Sequence, residues 1–282
     1  MRKLMIAAAL VFALQSSAQV QTPQASPKSE IDQVVGLTTV EVEYYRPAKK
    51  GRLVFGDLVP YGKVWRTGAN NNTTVDFSTS VEINGQTLPA GEYALFTTPK
   101  AQNWEVIFYK TTDNWGLPKN WSDDNIALKT TVNPETLAND VEFFTISVNP
   151  MNLNEGALEL SWEKTMVRIP FKTPTHQIAM KSIETSLNAK AKASDYYAAG
   201  VYLFSSNEDL KKSLEYVNKA IDMQEGEAPF YMLRQKSLIQ AANGDKQGAI
   251  ETAKKSLSAS EKAGNADYVK MNRNSILEWS KS

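Results

Sequence analysis

Between Arg46 and Asn70 the chain sets Arg46, Lys50, Arg52 and Arg66 beside Tyr61 and Trp65, and closes on the amide of Asn70. Guanidinium groups make paired N–H bonds to carboxylate, sulfate or phosphate. Backbone N–H groups in glycine-rich turns add donors for an anion, and Gly51, Gly56, Gly62 and Gly68 provide such turns. Aromatic rings beside these cations can stack on the flat face of a sugar. The segment therefore points to an anionic or carbohydrate-like ligand. The competing reading is an ordered crossover loop, with Tyr61 and Trp65 as core plugs and the arginines satisfying carbonyls or carboxylates. A second candidate surface is the loop carrying Trp115 and Trp121, since tryptophans on a sandwich rim suit carbohydrate contact. Trp104 and Trp162 read as core or hairpin staples.

Several chemistries are excluded by composition. There is no cysteine, so disulfides, thiolate metal sites and a cysteine nucleophile are ruled out. One histidine, His176, does not make a multi-histidine metal site or a Ser-His-Asp triad. No metal and no cofactor are expected. Lysine plus arginine balance aspartate plus glutamate at a net charge of +0, which argues against nucleic acid as a partner. The basic run lacks the Gly-x-x-x-x-Gly-Lys pattern of a nucleotide-binding P-loop. Carboxylates at Glu41, Glu43, Asp57, Asp76, Glu92, Asp123 and Asp124 show no calcium-loop spacing, and Glu41 and Glu43 fall on the polar face of a strand. No catalytic residue is assigned. Glycoside hydrolysis by two carboxylates stays open, because their separation is a three-dimensional quantity.

The elements that must position these groups follow from periodicity. Residues 1–18 read as a secretory signal: Arg2 and Lys3, an apolar run from Leu4 to Leu14, and small residues before a cleavage expected after Ala18. No later stretch is apolar enough to span a membrane, so the processed chain is expected in the periplasm or secreted. Residues 19–30 read as a flexible arm. Residues 31–172 carry about nine short alternating segments, among them a hairpin at Asn84-Gly85, and predict an all-β sandwich, jelly-roll-like. After Thr173-Pro174 the apolar spacing turns helical, and residues 173–282 predict an all-α domain. Ser194-Asp195, Asn207 and Asp245 are expected to cap its helices, and Asn243-Gly244 to stop one.

Two resemblances are carried by particular residues. Aligning Ser213-Leu214 with Ala249-Ile250 gives a repeat offset of about 36 residues, near the 34 of a tetratricopeptide unit. The segment from Gly244 to Ala253 resembles the start of that unit's second helix, while Ser237 and Gln240 depart from its pattern and no proline closes the units. The resemblance implies grooves for a protein or peptide partner. Separately, Arg46-Pro47-x-x-Lys50-Gly51-Arg52 and the run from Phe55-Gly56 to Asn70 resemble the hallmark of an exported bacterial family, domain of unknown function 2911. Pro89-Ala90-Gly91-x-Tyr93-Ala94-Leu95-Phe96-Thr97 and Trp115-Gly116 match its later motifs. That resemblance covers about residues 26–172 and implies an all-β domain in the envelope of Bacteroidota-like bacteria. It implies no activity. The combined expectation is a periplasmic binding or scaffold protein whose helices recognise protein. The alternative is a glycan-binding or glycan-processing protein acting through the β-domain.

Overall fold

The computed structural model describes residues 22–281; the expected signal segment and the first residues of the arm lie outside them. Two antiparallel sheets form a sandwich. Strands β1 (Lys28–Val35), β2 (Thr38–Tyr45), β3 (Thr73–Phe77), β6 (Gly91–Pro99), β7 (Trp104–Tyr109) and β8 (Ile126–Val132) make one sheet in that order. Strands β4 (Val81–Ile83) and β5 (Gln86–Leu88), with β9 (Pro134–Pro150) and β10 (Glu155–Lys172), make the other in the order β5-β4-β10-β9. Alternation decides which side chains enter the core. In β2 the residues Val40, Val42 and Tyr44 point inward, and Val75 and Phe77 of the neighbouring β3 join them. Phe108, Phe144, Leu158, Trp162 and Phe171 complete the layer between the sheets. Each such side chain contributes about 1.5–3 kcal/mol on burial.

Strand β6 is buried on both faces. Its outer side carries Ala94 and Phe96, which meet Ile107 and Tyr109 of β7 under a cover of Val64, Trp121 and Ile126. The loop from β2 to β3 supplies Val64, the loop from β7 to β8 supplies Trp121, and Ile126 opens β8 itself. Strand β1 revises the expected arm: ordered pairing with β2 begins at Lys28↔Tyr45. Polar Ser29 and Gln33 on its inward face and apolar Val34 on its outer face blur the alternation in the sequence. The alternating segments Ala157 to Trp162 and Met166 to Phe171, which read in sequence as separate strands, are one strand, β10, interrupted by irregular register at Ser161/Glu163 and Glu163/Thr165.

Six helices follow among the described residues: α1 (Thr175–Ser186), α2 (Ala193–Ser205), α3 (Leu210–Asp222), α4 (Phe230–Ala242), α5 (Lys246–Lys262) and α6 (Ala266–Trp279). The fold is thus a β-sandwich followed by a helical array of tetratricopeptide-like pairs. Ala220, Ala249, Ala253 and Ser256 are fully buried where helices approach one another. Asp245 caps α5, accepting from the Gly248 N–H at 2.9 Å. Two expected caps move. Asp195 sits inside the first turn of α2 and accepts from the Lys192 N–H at 2.8 Å. Asp209 rather than Asn207 caps α3. Asn207 instead takes a left-handed φ of 53° just past α2, a conformation that its short polar side chain tolerates.

The helices are tied to the end of the sandwich by two threonines. The Leu37 N–H donates to Thr175 Oγ1 at 3.1 Å, and the Thr173 N–H donates to the Asn154 carbonyl at 2.7 Å. Gly36 makes this approach possible, because a Cβ there would lie 2.0 Å from Thr175 Oγ1 and 2.4 Å from the Leu153 carbonyl.

Candidate functional site

The segment from Arg46 to Asn70 leaves β2, crosses one end of the sandwich and returns as β3. Each of its ends is held by groups from distant strands. Trp65 pairs with Thr97 through two backbone bonds of 2.7 and 3.0 Å, which extends the line of β3 along β6. Period-two geometry then sends Val64 outward over Phe96 and Trp65 inward. The Trp65 indole stacks on Trp162 at 5.9 Å and 19°, and meets Phe144 edge-on at 5.0 Å. Trp162 is aimed there from the irregular stretch of β10, where Glu163 has φ 54°.

The backbone after Trp65 is held in an uncommon shape. Thr67 has φ 54° and Asn70 has φ 56°. A positive φ is an outlier for a β-branched residue such as threonine. Thr67 is fully buried and over-determined: its hydroxyl lies 3.0 Å from that of Thr97, and its carbonyl accepts from the Thr73 hydroxyl. Strain of this kind persists only where surrounding bonds fix it, and it concentrates at functional sites.

These constraints open a cavity of about 450 Å³ lined by Arg52, Trp65, Arg66, Asn70, Trp115 and Trp162, with Pro47, Leu58 and Ser26, two residues before β1, at its wall. Arg66 donates to the Asn70 carbonyl at 2.7 Å, and its guanidinium lies against Gly116. Gly116 has φ 89°, a conformation that favours glycine, and a Cβ there would make a tight 3.1 Å contact with Arg66 Nη1. Arg52 is anchored by the carbonyls of Lys49 at 2.8 Å and Ala48 at 2.7 Å. The Asn70 amide reaches the Ser26 carbonyl at 3.4 Å. The arginine ion pairs among the described residues belong to Arg168 and Arg273, so neither cavity arginine is neutralised by a carboxylate. Among the described residues no carboxylate lines the cavity either. Trp115 stands at the wall with 75% of its surface exposed. Asn72, buried below the loop, holds it in place: its Oδ1 accepts from the Asn114 N–H at 3.0 Å.

Five of the predicted site residues, Arg52, Trp65, Arg66, Asn70 and Trp115, thus meet at one cavity. Four do not. Arg46 donates through Nε to the Phe144 carbonyl at 3.1 Å and through Nη2 to the Thr145 hydroxyl at 2.8 Å, so it staples the edge of β9. The Tyr44 hydroxyl does the same one residue along, accepting from the Ile146 N–H at 3.0 Å. Lys50 is an exposed left-handed turn residue whose N–H donates to Glu142. Tyr61 lies over Gly56, outside the cavity lining. Trp121 stacks on Tyr109 at 4.6 Å and 27°, as part of the outer cover of β6. Trp162 was assigned to the core; it is buried, yet its edge lines the cavity as well. Nothing local to its own sequence marks that second role.

Four of the carboxylates singled out in sequence, Glu41, Glu43, Asp76 and Glu92, gather elsewhere, joined by Asp32 and Glu30, whereas Asp57, Asp123 and Asp124 lie on the connections between strands. Asp32, Glu41, Asp76 and Glu92 stand opposite one another across β1, β2, β3 and β6, on the outer face of the sheet. Glu30 and Glu43 flank them, and Lys28 bridges those two, which raises the affinity of its ammonium for its proton. Among the described residues no acidic group is arranged to hold a metal ion.

On the helices, α2, α4 and α6 share a row of tyrosines. Tyr197 meets Tyr231 at 5.6 Å, and Tyr268 meets Phe230 at 4.8 Å. Arg234 lies among them without an ion pair, and its Nη1 is buried without a hydrogen-bond partner. Burial lowers its pKa. The same burial, reinforced by Tyr268 and Tyr231, pushes the Tyr197 phenol up to about 12.

The family model described as "Protein of unknown function (DUF2911)" matches residues 26–171, a little over half of the 282-residue chain, and the chain belongs to that family. No curated protein matches the chain.

Proposed function

We propose that this DUF2911 family member is an exported envelope protein whose sandwich binds the anionic group of a saccharide without cleaving it. One observation carries the reading: two guanidinium groups free of carboxylate partners share a cavity with the Asn70 amide and the exposed indole of Trp115. Guanidinium forks select a carboxylate, sulfate or phosphate. The amide can read a hydroxyl, and the indole offers a flat apolar face to a sugar ring. Glycosidic cleavage needs a paired acid and base, and the lining supplies neither. Export rests on the basic and apolar residues at the start of the sequence.

The test is calorimetry on the full chain with an acidic uronate oligosaccharide, its neutral counterpart and inorganic sulfate. The acidic ligand is expected to bind, and Arg66→Ala to weaken it by at least about tenfold, or ~1.4 kcal/mol, at unchanged melting temperature. Equal binding of the neutral oligosaccharide, or a matching loss of stability in the variant, would sink the reading.

A second reading concerns the helices. The tyrosine row around the unpaired Arg234 supports recognition of an acidic peptide segment by the helical array. Arg234→Ala in the full chain should then lose a partner captured from envelope extract while keeping the uronate affinity.

A further inference from the structure

The wall of the arginine cavity continues into an apolar surface that a soluble saccharide leaves unused. Leu53, Leu58, Tyr61, Trp115 and Leu117 are all exposed, Leu53 by 58% and Trp115 by 75%. They are neighbours in space as well as in sequence. The Leu58 N–H donates to the Leu53 carbonyl at 3.3 Å, Leu58 and Trp115 line the same cavity, and Leu117 sits on the loop that carries Trp115. Cations outnumber anions on these two loops: Arg46, Lys49, Lys50, Arg52, Lys63, Arg66, Lys110 and Lys119 stand against Asp57, Asp113, Asp123 and Asp124, and the excess lies on the β2–β3 loop. Exposed leucines usually occur singly; a group of exposed apolar side chains on adjoining loops, rimmed by charged residues with cations in excess, marks a contact surface. Tryptophan, tyrosine and leucine interleaved with lysine and arginine suit the headgroup boundary of a bilayer, where rings and apolar stems enter and cations stay with anionic headgroups.

We infer that this end of the sandwich docks on an anionic lipid surface, with the headgroup anion in the Arg52–Arg66 cavity and the Leu53, Trp115 and Leu117 side chains in the acyl boundary. The inference rests on the anion-binding reading and adds the source of the anion. Charge complementarity selects the occupant: the cavity and the loops around it carry unpaired cations, whereas a neutral apolar partner would leave the two cavity guanidinium groups facing an uncharged surface.

The experiment uses the chain from Gln19 onward, which keeps every described residue and omits the apolar run near the start that would itself enter a bilayer. Vesicles of zwitterionic lipid alone, and of the same lipid with an anionic phospholipid, are sedimented with wild type, Leu53→Ser/Leu117→Ser, Trp115→Phe and Arg66→Ala. Brominated acyl chains report insertion of Trp115, read as the quenching that Trp115→Phe loses. Binding is expected on anionic vesicles only, weaker in high salt, and reduced by roughly tenfold or more in the double serine variant. That variant keeps its affinity for the soluble uronate oligosaccharide, because Leu53 and Leu117 lie outside the cavity lining. Equal binding to both vesicle types, no quenching at Trp115, or full binding by the double variant overturns the inference. If wild type ignores vesicles yet binds the uronate, only the lipid source fails. If it binds neither, the anion-binding reading fails with it.

Discussion

The indoles of Trp65 and Trp162 lie 5.9 Å apart at 19°, one on the loop after β2 and the other on β10. This stack joins the cavity wall to the core, so stability and ligand binding meet in it. Trp162 also donates to the Glu142 carbonyl at 3.1 Å. Trp162→Ala should destabilise the protein by about 3–5 kcal/mol, measured by urea unfolding, and should weaken the ligand in parallel.

Trp115 provides the contrast. It is exposed and supports little packing, so Trp115→Ala should change unfolding free energy by less than about 0.5 kcal/mol. The same change should weaken ligand binding clearly in calorimetry. A large loss of stability would show that the indole is a structural plug.

Asn72 acts one step behind Trp115. Asn72→Ala leaves the Asn114 N–H unpaired beneath the loop, a loss of about 1–3 kcal/mol. Hydrogen exchange at Asn114 should accelerate more than at the centre of β6, and ligand release should quicken.

Gly36→Ala would drive a methyl group into Thr175 at a position with φ 61°. Destabilisation above about 1 kcal/mol is expected, with faster proteolysis at the junction of the strands and α1. Unchanged proteolysis would mean that the junction yields without strain.

Alkaline pH probes the helices. The Tyr197 phenol ionises near 12 when folded against an ordinary value of 10.0. The folded state therefore holds this proton more tightly between those values. Stability from this group is complete below pH 10 and is lost as pH rises toward 12. Tyr197→Phe should flatten the fall in melting temperature across that window.

Much of the architecture was legible because it is local. The Asn84-Gly85 turn, the alternation of Val40, Val42 and Tyr44, and the Asp245 cap each need only a few neighbouring residues. The helical pairs were legible through their small buried residues. What was hidden depended on partners far along the chain. Arg46 looked like its neighbour arginines until Phe144 and Thr145 engaged it. Trp121 looked like Trp115 until Tyr109 covered it. Strand β1 escaped notice because Ser29 and Gln33 on its inward face are polar and Val34 on its outer face is apolar, and Lys28 pairs only once Tyr45 is beside it.

The left-handed turn at Thr67 and Asn70 limits how far the site can be transplanted. A peptide copying residues 46–70 would carry every arginine of the motif and still fall into other backbone conformations, because Thr97, Thr73 and Ser26 hold the turn from outside it. The recognition unit is therefore a cross-section of the sandwich. Grafting it onto another scaffold would require β6, the irregular stretch of β10, the Trp115 loop and the Asn72 side chain that holds it to travel with it.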